Sequence, residues 1–452
     1  MHTRTRVSAL AAFAGAAAMV IAPAGAMAVP NYPEPTKPTG QTGKPRGPFK
    51  TLRVSKTRPG AFRKIQAAVN AAQPGDTVRV ADGTYREGVK LSGTSKRYVK
   101  IIGNPKDPQK VLVDATGLKG GPAQNAFFIN GADEVTLRGI KAKGQKANGF
   151  FVTNAKGYTF DRLVAERNGA YGLYAFNSRG GTMTNSLAYY QNDGGFYIGQ
   201  TKEQPTPIRS IVRNVTAWGN VVGFTGTNMR YVTITKSRFF NNGLGVVPNA
   251  LDSEKFPPEE DNVIRDNDIF WNNFNYFAAA PFKLRKGATG EVAYPVGTGL
   301  LLFGGRDQLV ENNRIFGNYL MGAGAVQQIL LKDKSAADLK GNVFRKNVFG
   351  KAGTDRNGRD MFYDGNGSGN CYEGNVGVQV TTPADGSTFA PCPFTGANTF
   401  SKSAQDEAVN WTVGDPTHEK NWVRNPHSAL GDASIAPLER YAPGRFYGPR
   451  GL

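Results

Sequence analysis

The sequence predicts an all-β solenoid of short stacked strands, closed at its N-terminal end by one helix. Three observations carry that reading. First, a Gly-led strand phrase recurs as Gly149-Phe150-Phe151-Val152, Gly172-Leu173-Tyr174-Ala175, Gly195-Phe196-Tyr197-Ile198 and Gly223-Phe224-Thr225-Gly226, at spacings of 23, 23 and 28 residues. Units this short cannot bury an apolar face alone and must stack on their neighbours. Second, Asp161, Asn185, Asn214, Ser237, Asn267, Asn313 and Asn342 each stand just before a short apolar stretch, a polar landmark that keeps pace with the repeat. Third, Phe62, Ile65, Val69 and Ala72 share one face of a helix ended by Pro74-Gly75-Asp76. Such an amphipathic helix covers the first strand edge, as the terminal unit of a solenoid must.

The elements follow in order. Arg4 and Arg6, an apolar run over residues 7–22 and Ala26-Met27-Ala28 predict a signal peptide over residues 1–28, hence a secreted protein. No other run is apolar enough to span a bilayer, so no membrane insertion is expected. Residues 29–60 read as a basic Pro/Gly-rich linker, 61–96 as the cap and first rungs, 97–350 as the solenoid, and 351–452 as a C-terminal cap with an irregular tail. Cys371 and Cys392, the only cysteines, are predicted to pair as a disulfide. The net charge is +20, or +18 without Arg4 and Arg6 (20 − 2), which favours an acidic polysaccharide or an anionic cell-wall polymer as partner. No nucleic-acid-binding signature accompanies that charge, and a monomer is expected. His2 belongs to the signal peptide, and His418 and His427 lie beyond the repeats. That inventory excludes His-dependent triads and His-rich zinc sites from the solenoid.

The run Ile65-Gln66-Ala67-Ala68-Val69, then Pro74-Gly75-Asp76-Thr77-Val78, then Gly83-Thr84-Tyr85-Arg86-Glu87 resembles the N-terminal cap of right-handed parallel β-helix proteins. These form the broad pectate-lyase-like superfamily of secreted polysaccharide lyases, epimerases, hydrolases and non-enzymatic relatives. The resemblance covers residues 60–350 and implies a right-handed parallel β-helix that acts on or binds carbohydrate.

Strand alternation turns Phe150, Leu173, Phe196 and Phe224 inward and sets Phe151, Tyr174, Tyr197 and Thr225 outward as a column. Exposed, that column offers apolar platforms to sugar rings; under a covering loop it is ordinary packing. Asn154, Asn177, Gln200 and Asn228 sit five residues after each lead Gly and predict an amide ladder at the turn. Longer intervals mark insertions at 200–207, 249–262 and 278–297, and insertions of this kind gather on a binding face. The second holds five carboxylates within ten positions: 252, 254, 259, 260 and 261. Crowded carboxylates attract Ca²⁺ or raise one another's pKa; the plain reading is a solvated acidic loop. Lys283-Leu284-Arg285-Lys286 follows in the next insertion, then Arg306 and Lys332 after later strands.

By analogy with lyases of the resembling superfamily, Asp252, Glu254 and Asp261 would hold metal or substrate. Lys283 or Arg306 would then be the base and Tyr197 the acid, while Phe151, Tyr174, Tyr197 and Arg285 bind the polymer. Such a set suits β-elimination on a uronate-containing chain. A non-catalytic polysaccharide- or cell-wall-binding rod is the competing reading. Asp364-Gly365-Asn366-Gly367-Ser368-Gly369-Asn370 reads as a Gly-rich turn beside Cys371.

Overall fold

Three long parallel sheets wind around a single apolar core. The computed structural model describes residues 43–274, 276, 295–350 and 355–413; the predicted signal peptide, Lys283 and Arg285 lie outside them. Each coil visits the three sheets in turn. The first sheet has twelve strands, the second ten and the third eleven, and every strand pairs in parallel with its counterparts one coil away. Parallel crossovers of this kind turn right-handed for the same chiral reason that strands twist.

The cap forms as the sequence predicts, with shifted bounds. Helix α1 spans Ile65–Ala71, and Ile65, Ala68 and Val69 are its buried face. Its free N–H groups are met from a distance: the buried carboxylate of Glu87 accepts from the amides of Ile65 (2.9 Å) and Gln66 (3.0 Å). A negative charge there also suits the helix dipole. Phe62 lies outside the helix and bridges Val54 instead. The predicted linker is shorter than 29–60, because Thr51–Val54 is a strand paired residue for residue with Thr77–Val80.

The inward column is as expected. Phe150, Leu173, Phe196 and Phe224 stand in register on consecutive coils, with Val152, Ala175 and Ile198 beside them, all in the main core cluster. Burying each large side chain contributes about 2 kcal/mol. The lead glycines have a steric cause. A Cβ on Gly149 would lie 2.7 Å from the Gly172 carbonyl oxygen and 3.1 Å from Asn168 Nδ2; on Gly223 it would lie 2.6 Å from the Gly245 carbonyl and 2.9 Å from Asn242 Nδ2.

Those asparagines belong to an amide ladder at the turn into the third sheet. Asn168, Gln191, Asn220, Asn242, Asn272, Asn318 and Asn357 are all buried, and each accepts from the backbone amide of the residue one coil before it. A second ladder, Ser237–Asn267–Asn313–Asn347–Asn375, lies between the first and second sheets. The landmark read from the sequence therefore joins distinct rows. Asn185 and Asn214 sit one residue before the inner ladder, at positive φ, and Asn342 belongs to a third row with Gln308, Asn370 and Asn398.

Coiling continues past residue 350 through Met361–Tyr363, Cys371–Glu373 and Thr381–Thr382. The predicted Cys371–Cys392 disulfide is formed there. Helix α2, Lys402–Val413, then lies against the outer face of the third sheet, where Ala404 and Ala408 pack with Val247, Leu301 and Phe362.

Candidate functional site

The insertions at 200–207 and 249–262 both occupy the turn from the third sheet to the first, after Gly194–Gly199 and Leu244–Asn249. The third insertion falls between Phe270 and Thr298, and residues 277–294 of it lie outside the described residues. The first two border the outer face of the third sheet, with α2 at its C-terminal end.

The outward column stands on that face in the predicted order. Phe151 pairs with Tyr174 and Tyr174 with Tyr197. The expectation of an exposed ladder is corrected: all three are buried. Their geometry also removes the sugar-platform reading. The rings of Phe151 and Tyr174 stack on each other at 4.5 Å and 14°, and Tyr197 meets Tyr174 edge-on at 4.9 Å, so the ring faces are engaged within the column. Half-buried Phe128 begins it, with Lys90 Nζ 6.0 Å from its ring centre.

The column ends on a polar pair. The Tyr197 hydroxyl donates to Glu254 Oε1 and accepts from the Thr227 amide at 3.2 Å. The loop bringing Glu254 there is pinned by Asn228, whose Nδ2 donates to the carbonyls of Leu251 and Glu254, both at 2.8 Å. The Lys255 amide donates to Gln200 Oε1. The amide row predicted at 154, 177, 200 and 228 thus links only its first members, Asn177 to Asn154 at 2.7 Å; its later members hold the inserted loop. Burial pushes the Glu254 carboxyl up to about 8, and burial together with the adjacent carboxylate raises the Tyr197 hydroxyl above its ordinary range. Glu254 Oε2 has no hydrogen-bond partner among the described residues. The pair is a buried proton donor at neutral pH.

The three proposed metal ligands do not converge. Asp252 accepts from the Lys332 amide at 2.7 Å, Glu254 faces Tyr197, and Asp261 is paired with Arg209. The inserted loop separates them because each anchors it to a different neighbour: the segment around Lys332, the third sheet, and the edge of the first sheet. Among the described residues no three His, Cys, Asp or Glu side chains stand together as a metal site. The carboxylate trio does not fit Ca²⁺. Arg306 donates to the Ser335 carbonyl and thereby ties two turns together. Lys283 and Arg285 lie outside the described residues.

Two groupings were not anticipated. On the second sheet, Lys141 Nζ (2.6 Å) and the Tyr189 hydroxyl (2.9 Å) both meet Glu166 Oε2, and Tyr189 starts an aromatic row through Trp218, Phe240, Phe270 and Phe316. Tyr189 and Trp218 stack at 4.9 Å and 2°, Phe270 and Phe316 at 4.9 Å and 10°. Rings stacked along the solenoid present edges, so this row is packing. The only sequence signal was an aromatic at the last position of each of these strands.

The other is Glu259, which enters the coil itself. Its neighbours in the stack are Met229, Gly305 and Leu339, and Gly305 makes room, since a Cβ there would lie 2.7 Å from Glu259 Oε1. Both carboxyl oxygens lack a partner among the described residues, and burial pushes this carboxyl well above its usual range. A carboxyl whose folded pKa lies above the unfolded value of 4.5 stabilises fully below that value, and its contribution falls as pH rises toward the folded value. Glu254 acts with the same sign up to about 8. Thermal stability is therefore expected to fall between about pH 5 and pH 8. Glu259→Met is expected to flatten that fall and to raise stability by about 2 kcal/mol at neutral pH, read by thermal melts across the range. A variant less stable than the parent at every pH would show that Glu259 is held by contacts its burial conceals.

A family model described as periplasmic copper-binding protein (NosD) matches residues 69–281. No curated protein matches the chain. Among solved structures, the A-module of Azotobacter vinelandii mannuronan C-5 epimerase AlgE4 is similar at 15% identity and a TM-score of 0.47, over 70% of this chain and 90% of that one. Pectate lyase Pel9A is similar at 15% identity and 0.37, over 74% and 78%. A rhamnogalacturonan lyase is similar at 16% and 0.37, over 74% and 84%. With a helical cap, three parallel sheets visited in a fixed order and internal amide ladders, the chain has the fold of a parallel β-helix.

Proposed function

We propose that this is an exported, carbohydrate-active β-helix protein that cleaves an acidic polysaccharide by β-elimination on the outer face of the third sheet. The observation that carries the reading is the Tyr197–Glu254 pair, a carboxylic acid kept protonated to about pH 8 at the end of an aromatic column and beneath an inserted loop. In β-elimination a base takes the C5 proton of the uronate and a C4=C5 double bond forms. The C4–O bond breaks, and the leaving oxygen takes a proton. Glu254 supplies that proton through the Tyr197 hydroxyl, which the Thr227 amide orients. The base in this scheme is Lys283, in the sequence between Phe270 and Thr298. Export agrees with the Cys371–Cys392 disulfide, a bond that persists in oxidising compartments.

A second reading has its own support: Tyr197 and Glu254 are only 1% and 5% exposed, as suits a fastener for the inserted loop in a protein that binds polysaccharide without cutting it. One experiment separates the two. The purified mature protein is incubated with polygalacturonate, alginate and glycosaminoglycans while ultraviolet absorbance follows unsaturated uronate ends. Rising absorbance on one polymer is expected. A flat trace on all of them, together with retained binding, would leave the fastener reading standing.

A further inference from the structure

The first sheet carries a surface that the proposed reaction does not use. Its inward side chains, from Val78 and Ile101 to Phe160 and Met183, belong to the core. The residues between them face out in two columns. One runs Thr77, Lys100, Thr136, Thr159, Thr182. The other runs Arg53, Arg79, Ile102, Arg138, Asp161, Thr184, Arg213. Over the first four coils the only charged members are Arg53, Arg79, Lys100 and Arg138, all exposed. The first acid on the face is Asp161, on the fifth coil, and Arg138 takes it at 2.8 Å. Arg53, Arg79 and Lys100 have no ion pair or side-chain hydrogen bond among the described residues. Strands one coil apart are about 4.8 Å apart, so these cations form a line along the solenoid axis rather than a scattered surface charge. Exposed Lys44, Arg46 and Lys50 continue the charge N-terminally.

We propose that this strip binds an extended acidic polysaccharide lying along the solenoid axis, as an anchoring site separate from the third-sheet face. The inference rests on the proposed function for the class of polymer alone. Charge complementarity calls for a polyanion whose charges repeat along its length, because aligned cations of one sign repel each other until such a partner neutralises them. The second column selects the sugar polymer. Thr77 and Thr136 place hydroxyls on the same strands as Arg79 and Arg138, and Thr159 and Thr182 continue the hydroxyl column, matching a chain that bears both carboxylates and hydroxyls. No strand residue of this outer face is aromatic, so it offers no platform on which the bases of a single-stranded nucleic acid would stack.

The test compares the parent with an Arg53→Gln, Arg79→Gln, Lys100→Gln triple variant. Each is titrated against fluorescently labelled polygalacturonate, alginate and heparin at several NaCl concentrations, with labelled duplex and single-stranded DNA as competitors. For the preferred polymer, the variant is expected to bind about tenfold more weakly at low salt, with a flatter dependence of log affinity on log salt, as fewer counterions are released. It is also expected to match the parent in releasing unsaturated ends from short oligouronates, which cannot bridge both faces. Unchanged affinity and salt slope would overturn the strip while leaving the third-sheet reading intact. Binding of either DNA as tightly as the preferred polymer would overturn the polysaccharide assignment, and a parent that binds none of the three polymers would overturn both. Should the triple variant melt below the parent, Arg79→Gln alone decides through the same titration, with about threefold weakening expected.

Discussion

Asn242→Ala is expected to cost about 3 kcal/mol of stability. Asn242 is wholly buried and works in both directions along its ladder. Its Oδ1 accepts from the backbone amide (3.1 Å) and Nδ2 (2.9 Å) of Asn220. Its own Nδ2 reaches the carbonyls of Ala217 (3.1 Å) and Phe240 (3.2 Å) and the side-chain oxygen of Asn272 (3.1 Å). Truncation strands the Asn220 backbone N–H inside the coil, where water cannot replace the lost partner. The loss is measured as the shift in urea midpoint at constant slope. Asn242→Asp sharpens the test. A carboxylate there aims oxygen at three acceptors, so this variant is expected to be the less stable at neutral pH and to recover in acid as it is protonated. A loss under about 1 kcal/mol for the alanine variant would mean that the ladder is decoration on a stack held by its apolar core.

That ladder also marks how far the sequence could be read. The lead-Gly repeat was legible because its cause is local and recurs: Gly149, Gly195 and Gly223 each lie against the next coil's carbonyl and a ladder amide. Inward and outward sides followed from alternation alone, which holds wherever strands are regular. The ladders themselves were blurred, since Asn214 stands one residue before the row of Asn267 and Asn342 belongs to a different turn, five residues before Asn347. The site was read least well, for two physical reasons. Burial of an outward residue depends on what crosses over it, and no periodicity in Phe151 or Tyr174 reports that. The acidic insertion looked like one cluster because its residues are adjacent in sequence; a loop of that length turns Asp252, Glu254, Glu259 and Asp261 toward four different surroundings. Glu259 is the extreme case, a carboxyl from an acidic loop that replaces an apolar residue in the stack. Tyr197 and Glu254 were both named, yet 57 positions separate them and nothing in their spacing announced that they meet.

If the pair transfers the proton, Glu254→Gln is expected to lower kcat by at least about a hundredfold with little change in KM, the loss typical of removing a positioned acid. Glutamine keeps the side chain's shape and can still accept from Tyr197, so the loop stays fastened. It holds no transferable proton. Tyr197→Phe removes the relay and leaves Glu254 buried without its hydroxyl partner, so it is expected to lose both turnover and stability. The pH profile supplies the sign. Parent activity should fall as pH rises through about 8, where Glu254 gives up its proton, and that limb should vanish from whatever residual activity Glu254→Gln retains. A purely structural role predicts otherwise: Glu254→Gln keeps full kcat, gains stability above about pH 7 because a buried ionisable group is gone, and leaves the alkaline limb in place. Measuring kcat and KM of both variants across pH therefore tells an acid from a fastener, since only loss of the acid lowers kcat and removes the alkaline limb.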